Sequence, residues 1–286
     1  MPVEQLVYYF NDHFEREHQS SFRPFILENG SVSGVFGPIR ISSTFSPLRQ
    51  VDDYEILRGH IAQLSVSTYE TDVHNNQPEK IGNLLTDAIT QPADFQSIIN
   101  LDRLCRTVHM LNYLTYAHNG GVLILDVDPR HILGVEQNHG AYFEEIIIKC
   151  GLAPRNIVIS ATINNFYAQY HTQLLSGLNN YRDRGYQIAL NIGSLYTAKG
   201  LRELIDKLSP NYLRITSPSP EMIQHSTSIW LSSLKGLIEL QHLIGGQTIL
   251  QHVNKKEQAN IALTSGFGLV QGDYYERLIT DHLRCL

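Results

Sequence analysis

Gly121-Val122-Leu123-Ile124-Leu125-Asp126-Val127-Asp128-Pro129-Arg130 reads as a short apolar strand that turns directly into a helix. Asp126 and Asp128 flank that turn, where an aspartate is favoured as a helix cap. The rhythm repeats through the rest of the chain. From Asp94 onward, helical spans are separated by short apolar runs at Gly121–Val127, Asn156–Ala161, Tyr186–Leu190, Tyr212–Ile215, Thr248–Leu250 and Phe267–Val270. Such alternation predicts crossover units and a parallel sheet. Upstream, Phe22–Leu27 and Ser31–Ile41 flank Glu28-Asn29-Gly30 and read as a β-hairpin with an Asn-Gly turn. Two hairpin strands and six crossover strands make eight, the number that closes a barrel. The expected fold is α/β, a modified TIM barrel that opens with a hairpin instead of a simple βα repeat.

Two segments flank this pattern. Val3 to His18 spaces Leu6, Val7, Phe10 and Phe14 as an amphipathic helix does, either a lid on the core or a face for a partner. Thr44 to Ala93 is less regular, polar from Thr71 to Lys80, and reads as one or two helices and a flexible loop. The domain reading is a helix over 1–20 and one barrel over 21–286, with an extended segment at about 44–93.

Composition narrows the function. Of 286 residues, 42% are apolar, enough for a substantial core, and the net charge of −6 without a Lys/Arg tract argues against nucleic acid. Met1 to His18 carries acids and no uninterrupted apolar stretch, so no signal peptide is expected. No run approaches the roughly 18 apolar residues of a membrane span. Cys105, Cys150 and Cys285 are widely spaced, which points to a reduced, cytoplasmic setting. Cys105 falls on an apolar helix face and reads as core. His109, His131, His139 and His252 lack ligand spacing of the His-Glu-x-x-His kind. No Gly-rich phosphate loop, serine elbow or Cys/His pairing stands out, and no cofactor is expected.

Short landmarks occur in a telling order: Leu101-Asp102-Arg103 opening a long helix, Leu125-Asp126-Val127-Asp128-Pro129-Arg130, Gly151-Leu152-Ala153-Pro154, Gly185-Tyr186-Gln187-Ile188-Ala189-Leu190, Pro210-Asn211-Tyr212-Leu213-Arg214-Ile215, Glu257-Gln258, Gly266-Phe267 and Gln271-Gly272-Asp273-Tyr274-Tyr275. Together, from about Phe22 to Arg277, they resemble an EAL domain, the fold of bacterial cyclic di-GMP phosphodiesterases. The resemblance implies a two-metal hydrolase, in which carboxylates and an amide hold Mg²⁺ or Mn²⁺ at the C-terminal ends of the strands. Here the implied set is mostly replaced. The Glu of the name motif corresponds to Phe36, and the motif's Arg to Arg40. The metal-binding Asn corresponds to Asp126, the next Glu to Ser160, and the acid three further on to Ile163. The Asp pair becomes Asn191 and Ile192, the Lys becomes Arg214, and the Asp after it Thr216. Leu250-Gln251-His252-Val253-Asn254 contains no acid, and Gln271 is retained.

The expectation is therefore a degenerate EAL domain that is not an enzyme and holds no metal, with Arg40, Asp126, Arg214 and Gln271 as vestigial nucleotide-binding positions. Each has a plainer reading: a strand-end arginine, a helix cap, an ion pair between Arg214 and Asp126, and a tight turn at Gln271-Gly272. Three functions compete: a regulatory protein acting through an unidentified protein partner, a metal-independent cyclic di-GMP receptor, and an active phosphodiesterase or an enzyme with a new site. Ile163, Ile192 and Leu250 read as an apolar floor that offers guanine few partners, and 62 residues separate Arg40 from Asp102, roughly twice the family's spacing. Both favour the protein-contact reading, with a homodimer as one form of it.

Overall fold

A computed structural model describes residues 2–18, 21–68, 95–135, 139–193 and 200–284. The chain opens with helix α1 (Val3–His18) and four antiparallel strands, β1 (Phe25–Glu28), β2 (Ser31–Phe36), β3 (Ile39–Gln50) and β4 (Leu57–Thr68). Helix α2 (Phe95–Tyr113) follows, and then the expected alternation. Its elements are β5 (Val122–Val127), α3 (Pro129–Gly134), α4 (Ala141–Lys149), β6 (Ile157–Ile163), α5 (His171–Asp183), β7 (Gln187–Ile192), α6 (Leu201–Leu208), β8 (Tyr212–Thr216), α7 (Pro220–Leu243), β9 (Gln247–Gln251), α8 (Lys256–Ser265), β10 (Leu269–Val270) and α9 (Asp273–Arg284).

The six strands β5 to β10 coincide with the six apolar runs, and neighbours from β4 to β10 pair in parallel. Closure comes from β3, which pairs antiparallel with both β10 and β4. The closed barrel has eight strands, β3 to β10. The number expected from sequence holds, but two of the eight strands are different ones: the hairpin around Asn29-Gly30 is β1 and β2, outside the barrel, where it extends the free end of β3. Barrel strands β3 and β4 occupy the segment expected to begin helices at Thr44. The part of that expectation from 69 to 94, including the polar loop at 71–80, lies outside the described residues. Alternation in Ile39–Gln50 and Leu57–Thr68 is the signal that was misread: β3 carries serines on both faces, and in β4 the alternation changes phase at Ile61-Ala62.

β3 and β4 are twelve residues long, twice the six of β5, so their far halves rise beyond the barrel as an arm joined by β1 and β2. One face of the arm packs on α2. Gly34 makes this approach possible, since a Cβ there would lie 2.9 Å from Val108 Cγ2. Asn112 of α2 bonds both backbone groups of Val32, and Nδ1 of buried His109 lies 2.8 Å from Ser43 Oγ. Asp102 of α2 accepts the Asp128 amide and pairs with Arg106 and His131, so one buried carboxylate ties α2 to the turn after β5. Burial alone would raise that carboxyl, but Arg106 and His131 outweigh it and hold it below the ordinary range.

α1 is a lid. Leu6, Val7 and Phe10 are buried in the main core, and Asn11 bonds the N–H and C=O of Phe25. Tyr9 donates to Glu145 of α4 and stacks under Lys149, 4.7 Å from its ring centre. The helix face offered to a partner by the sequence is thus spent within the chain. Leu6→Ala should cost about 2–5 kcal/mol in denaturant unfolding; an unchanged midpoint would contradict the lid.

Burial holds His109 down from 6.5 to about 4. A lowered folded value means the unfolded chain takes up this proton first, so stability present above pH 6.5 is lost as pH falls toward 4. His109→Gln should flatten that part of the stability–pH curve; an identical slope would show that His109 does not set it.

Candidate functional site

The barrel interior is layered by strand periodicity. Leu48, Ile61, Ile124, Val158, Ala189, Ile249 and Leu269 form a separate buried cluster with Val122 and Tyr212, contributed by all eight strands. One side-chain step toward the C-terminal ends of the parallel strands, each strand places a polar residue: Ser46, Gln63, Asp126, Ser160, Asn191, Arg214, Gln251 and Gln271. Successive side chains alternate faces, so the residues between them point at the helices. Ile163, Ile192 and Leu250 do this and belong to the core outside the barrel. The expected apolar floor is therefore incorrect; the floor is polar, with Thr162 continuing it.

Arg214 of β8 organises the layer. Its Nη1 donates to Asp126 Oδ1 at 2.5 Å and to Ser160 Oγ at 2.6 Å, and its Nη2 reaches Asp126 Oδ2 at 3.5 Å. Nε and Nη2 converge on Gln251 Oε1 at 3.0 and 2.7 Å. All five guanidinium N–H groups have an acceptor. β8 and β5 are three strands apart, so this pair crosses the barrel lumen. Gln251 then donates to Asn191 Oδ1 at 2.9 Å, and Asn191 donates to Thr162 Oγ1 at 3.1 Å. On the far wall Ser46 donates to Gln63 at 3.1 Å. The Arg214 side chain is 4% exposed and Asp126 49%, so the cation is sealed under an anion that still faces water.

The site positions expected from sequence divide. Asp126 and Arg214 meet as the ion pair. Gln271 shares their layer, but its Oε1 accepts the His252 amide at 3.2 Å, and Gly272 follows with φ 153°. A Cβ at Gly272 would lie 2.3 Å from Val253 O, which is the tight turn of the plainer reading. Asp128 caps α3 through Arg130 N at 2.8 Å, so the cap belongs to Asp128 and Asp126 is freed for the lumen. Arg40 is not at the site. It lies on the arm six residues up β3 from Ser46, roughly 20 Å along the strand, bonded to Ser33 Oγ at 3.0 Å and Glu28 at 2.5 Å. Its assignment failed because the strand beside β5 is β4; Phe36 lies on β2, and the 62-residue spacing was measured from a misplaced anchor. The correction restores no acid, since Leu57–Thr68 contains none. Ser46, Gln63 and Thr162 were missed, the first two because their segment read as helical.

These donors do not fit a two-metal centre. Divalent magnesium or manganese needs several charged oxygens, and the layer offers one carboxylate already neutralised by Arg214. Among the described residues, no group of three or more His, Cys, Asp or Glu side chains is placed to hold a metal ion.

No family profile matches the sequence, and no curated protein does. Solved structures do. YkuI of Bacillus subtilis, with an EAL domain in complex with substrate c-di-GMP and calcium, superposes with a TM-score of 0.62 at 18% identity, over 82% of this chain and 54% of that one. The EAL enzyme Bd1971 in its cAMP and cyclic-di-GMP bound form gives 0.59 at 17%, over 82% and 61%. The EAL domain of Mycobacterium smegmatis DcpA gives 0.59 at 15%, over 82% and 91%. This chain has an EAL-type barrel. It spans little more than half the length of the first two proteins. No helix among the described residues is long and apolar enough to cross a membrane.

Replacing Arg214 by Met leaves Ser160 and Gln251 without their buried partner and should cost on the order of 1–3 kcal/mol. Urea unfolding of the variant checks this; an unchanged midpoint would show that the guanidinium does not hold the layer together.

Proposed function

We propose that this chain is a non-hydrolytic EAL-type barrel that serves cyclic di-GMP signalling through contact with another protein. The observation behind the proposal is the position of the Arg214 guanidinium. It lies among Asp126, Ser160 and Gln251, at the strand ends where the resemblance places metal ligands. A fixed cation there repels a divalent ion, and Asp126 has no second carboxylate beside it to offset that repulsion. The signalling context comes from the proteins of like fold solved with c-di-GMP bound.

Protein contact is favoured over a metal-independent receptor because the expected phosphate-binding cations are engaged. Arg40 is committed to Glu28 and Ser33 on the arm, and Arg214 has no free donor. The half-exposed Asp126 carboxylate adds a repulsive charge where a phosphate would enter. A barrel with this mouth can still present its outer surfaces, so the output we assign to it is docking.

Incubation of the purified chain with cyclic di-GMP and Mn²⁺ should yield no linear dinucleotide, and calorimetric titration with the nucleotide should give no binding heat with or without Mg²⁺. Linear product that scales with protein and vanishes in Asp126→Ala would overturn the non-hydrolytic reading. Saturable metal-independent heat would replace protein contact by the receptor reading.

A further inference from the structure

Among the described residues, the arm leaves one strand edge open. β4 pairs with β5 only at Gly59, His60 and Ile61, whereas its ladder with β3 continues to Ile39↔Thr68. From Ala62 to Thr68, one side of β4 therefore has no strand partner among the described residues. Unpaired strand backbone is a template for another chain, and proteins blunt it with Lys, Pro, bulges or covering side chains. This protein uses such covers elsewhere: Asn11 bonds both backbone groups of Phe25 on β1, and Asn112 does the same for Val32 on β2. Ala62-Gln63-Leu64-Ser65-Val66-Ser67-Thr68 carries no charge and no proline. The register shift of the β3/β4 hairpin lies at its other end, between Leu48 and Arg49.

We propose that this edge is an interface between two copies of the chain, with β4 of each pairing antiparallel about a two-fold axis at Ser65. The strand is its own complement. A two-fold at Ser65 sets Leu64 against Val66 on the face toward α2, and Gln63 against Ser67 and Ser65 against Ser65 on the other. Apart from Ala62 against Thr68 at the ends of the ladder, directly opposed residues then match in polarity, and no like charges meet. The geometry is isologous and closes as a dimer, with the two arms joined into one eight-stranded antiparallel layer. It commits the protein contact proposed above to a second copy at this edge. It does not depend on the absence of hydrolysis, and the oligomeric state is read without nucleotide or metal.

The test is sedimentation equilibrium of the whole chain and of Ser65→Lys and Ser65→Glu variants, whose half-buried position on the polar face allows them to fold. The parent should sediment as a dimer, each variant alone should dimerise about tenfold or more weakly, and an equimolar mixture of the two should recover a dimer because opposite charges then meet at the axis. A monomeric parent whose Ala62–Thr68 amides resist hydrogen exchange would overturn the proposal in favour of cover from the same chain. A dimer unaffected by either variant would place the interface elsewhere and overturn it equally.

Discussion

A guanidinium in the lumen of a barrel constrains everything around it. Burying Arg214 without acceptors would cost several kcal/mol, so the walls must supply oxygens on all sides. β5, β6 and β9 do so with Asp126, Ser160 and Gln251. Gln251 in turn must place its amide N–H, which it does on Asn191, and Asn191 passes the demand to Thr162. The polar ring follows from one cation. The same cation removes the reason for acids at these strand ends, because a second carboxylate would compete with Asp126 for an arginine whose donors are already engaged.

The strand period explains how one chain holds this ring beside a dry core. Along β5, Leu123, Leu125 and Val127 face the helices, whereas Ile124 and Asp126 face the lumen. A one-residue slip would exchange the two sets, so hydrophobic burial outside the barrel fixes the register that aims Asp126 at Arg214. Asp102 supports the same turn from outside by holding the Asp128 amide. Packing, register and site are one problem here.

The legible part of the fold was the part with sharp contrast. The runs that became β5 to β10 are continuous and apolar because both faces are buried, and turn residues punctuate them. β3 was illegible because its arm half carries serine on either face, as in Ile41-Ser42-Ser43-Thr44, and β4 because its alternation changes phase at Ile61-Ala62 before the regular Leu64-Ser65-Val66-Ser67, which weakens the period-two signal. That one misreading moved the barrel's first strand and carried Arg40 into the site with it. The ion pair of Asp126 and Arg214 was visible as a plain alternative, since a lone acid and a lone cation near the ends of barrel strands have few other partners. The floor was not, because landmark matching names residues without saying which face they share: Ile192 and Asn191 are neighbours in sequence and point to opposite sides of the sheet.

Electron paramagnetic resonance of Mn²⁺ tests most directly whether arginine has taken the place of metal. With the purified chain titrated into a fixed Mn²⁺ solution, the free-ion signal should keep its full intensity. A saturable loss of that signal at one or two ions per chain, reversed by Asp126→Ala, would contradict the account.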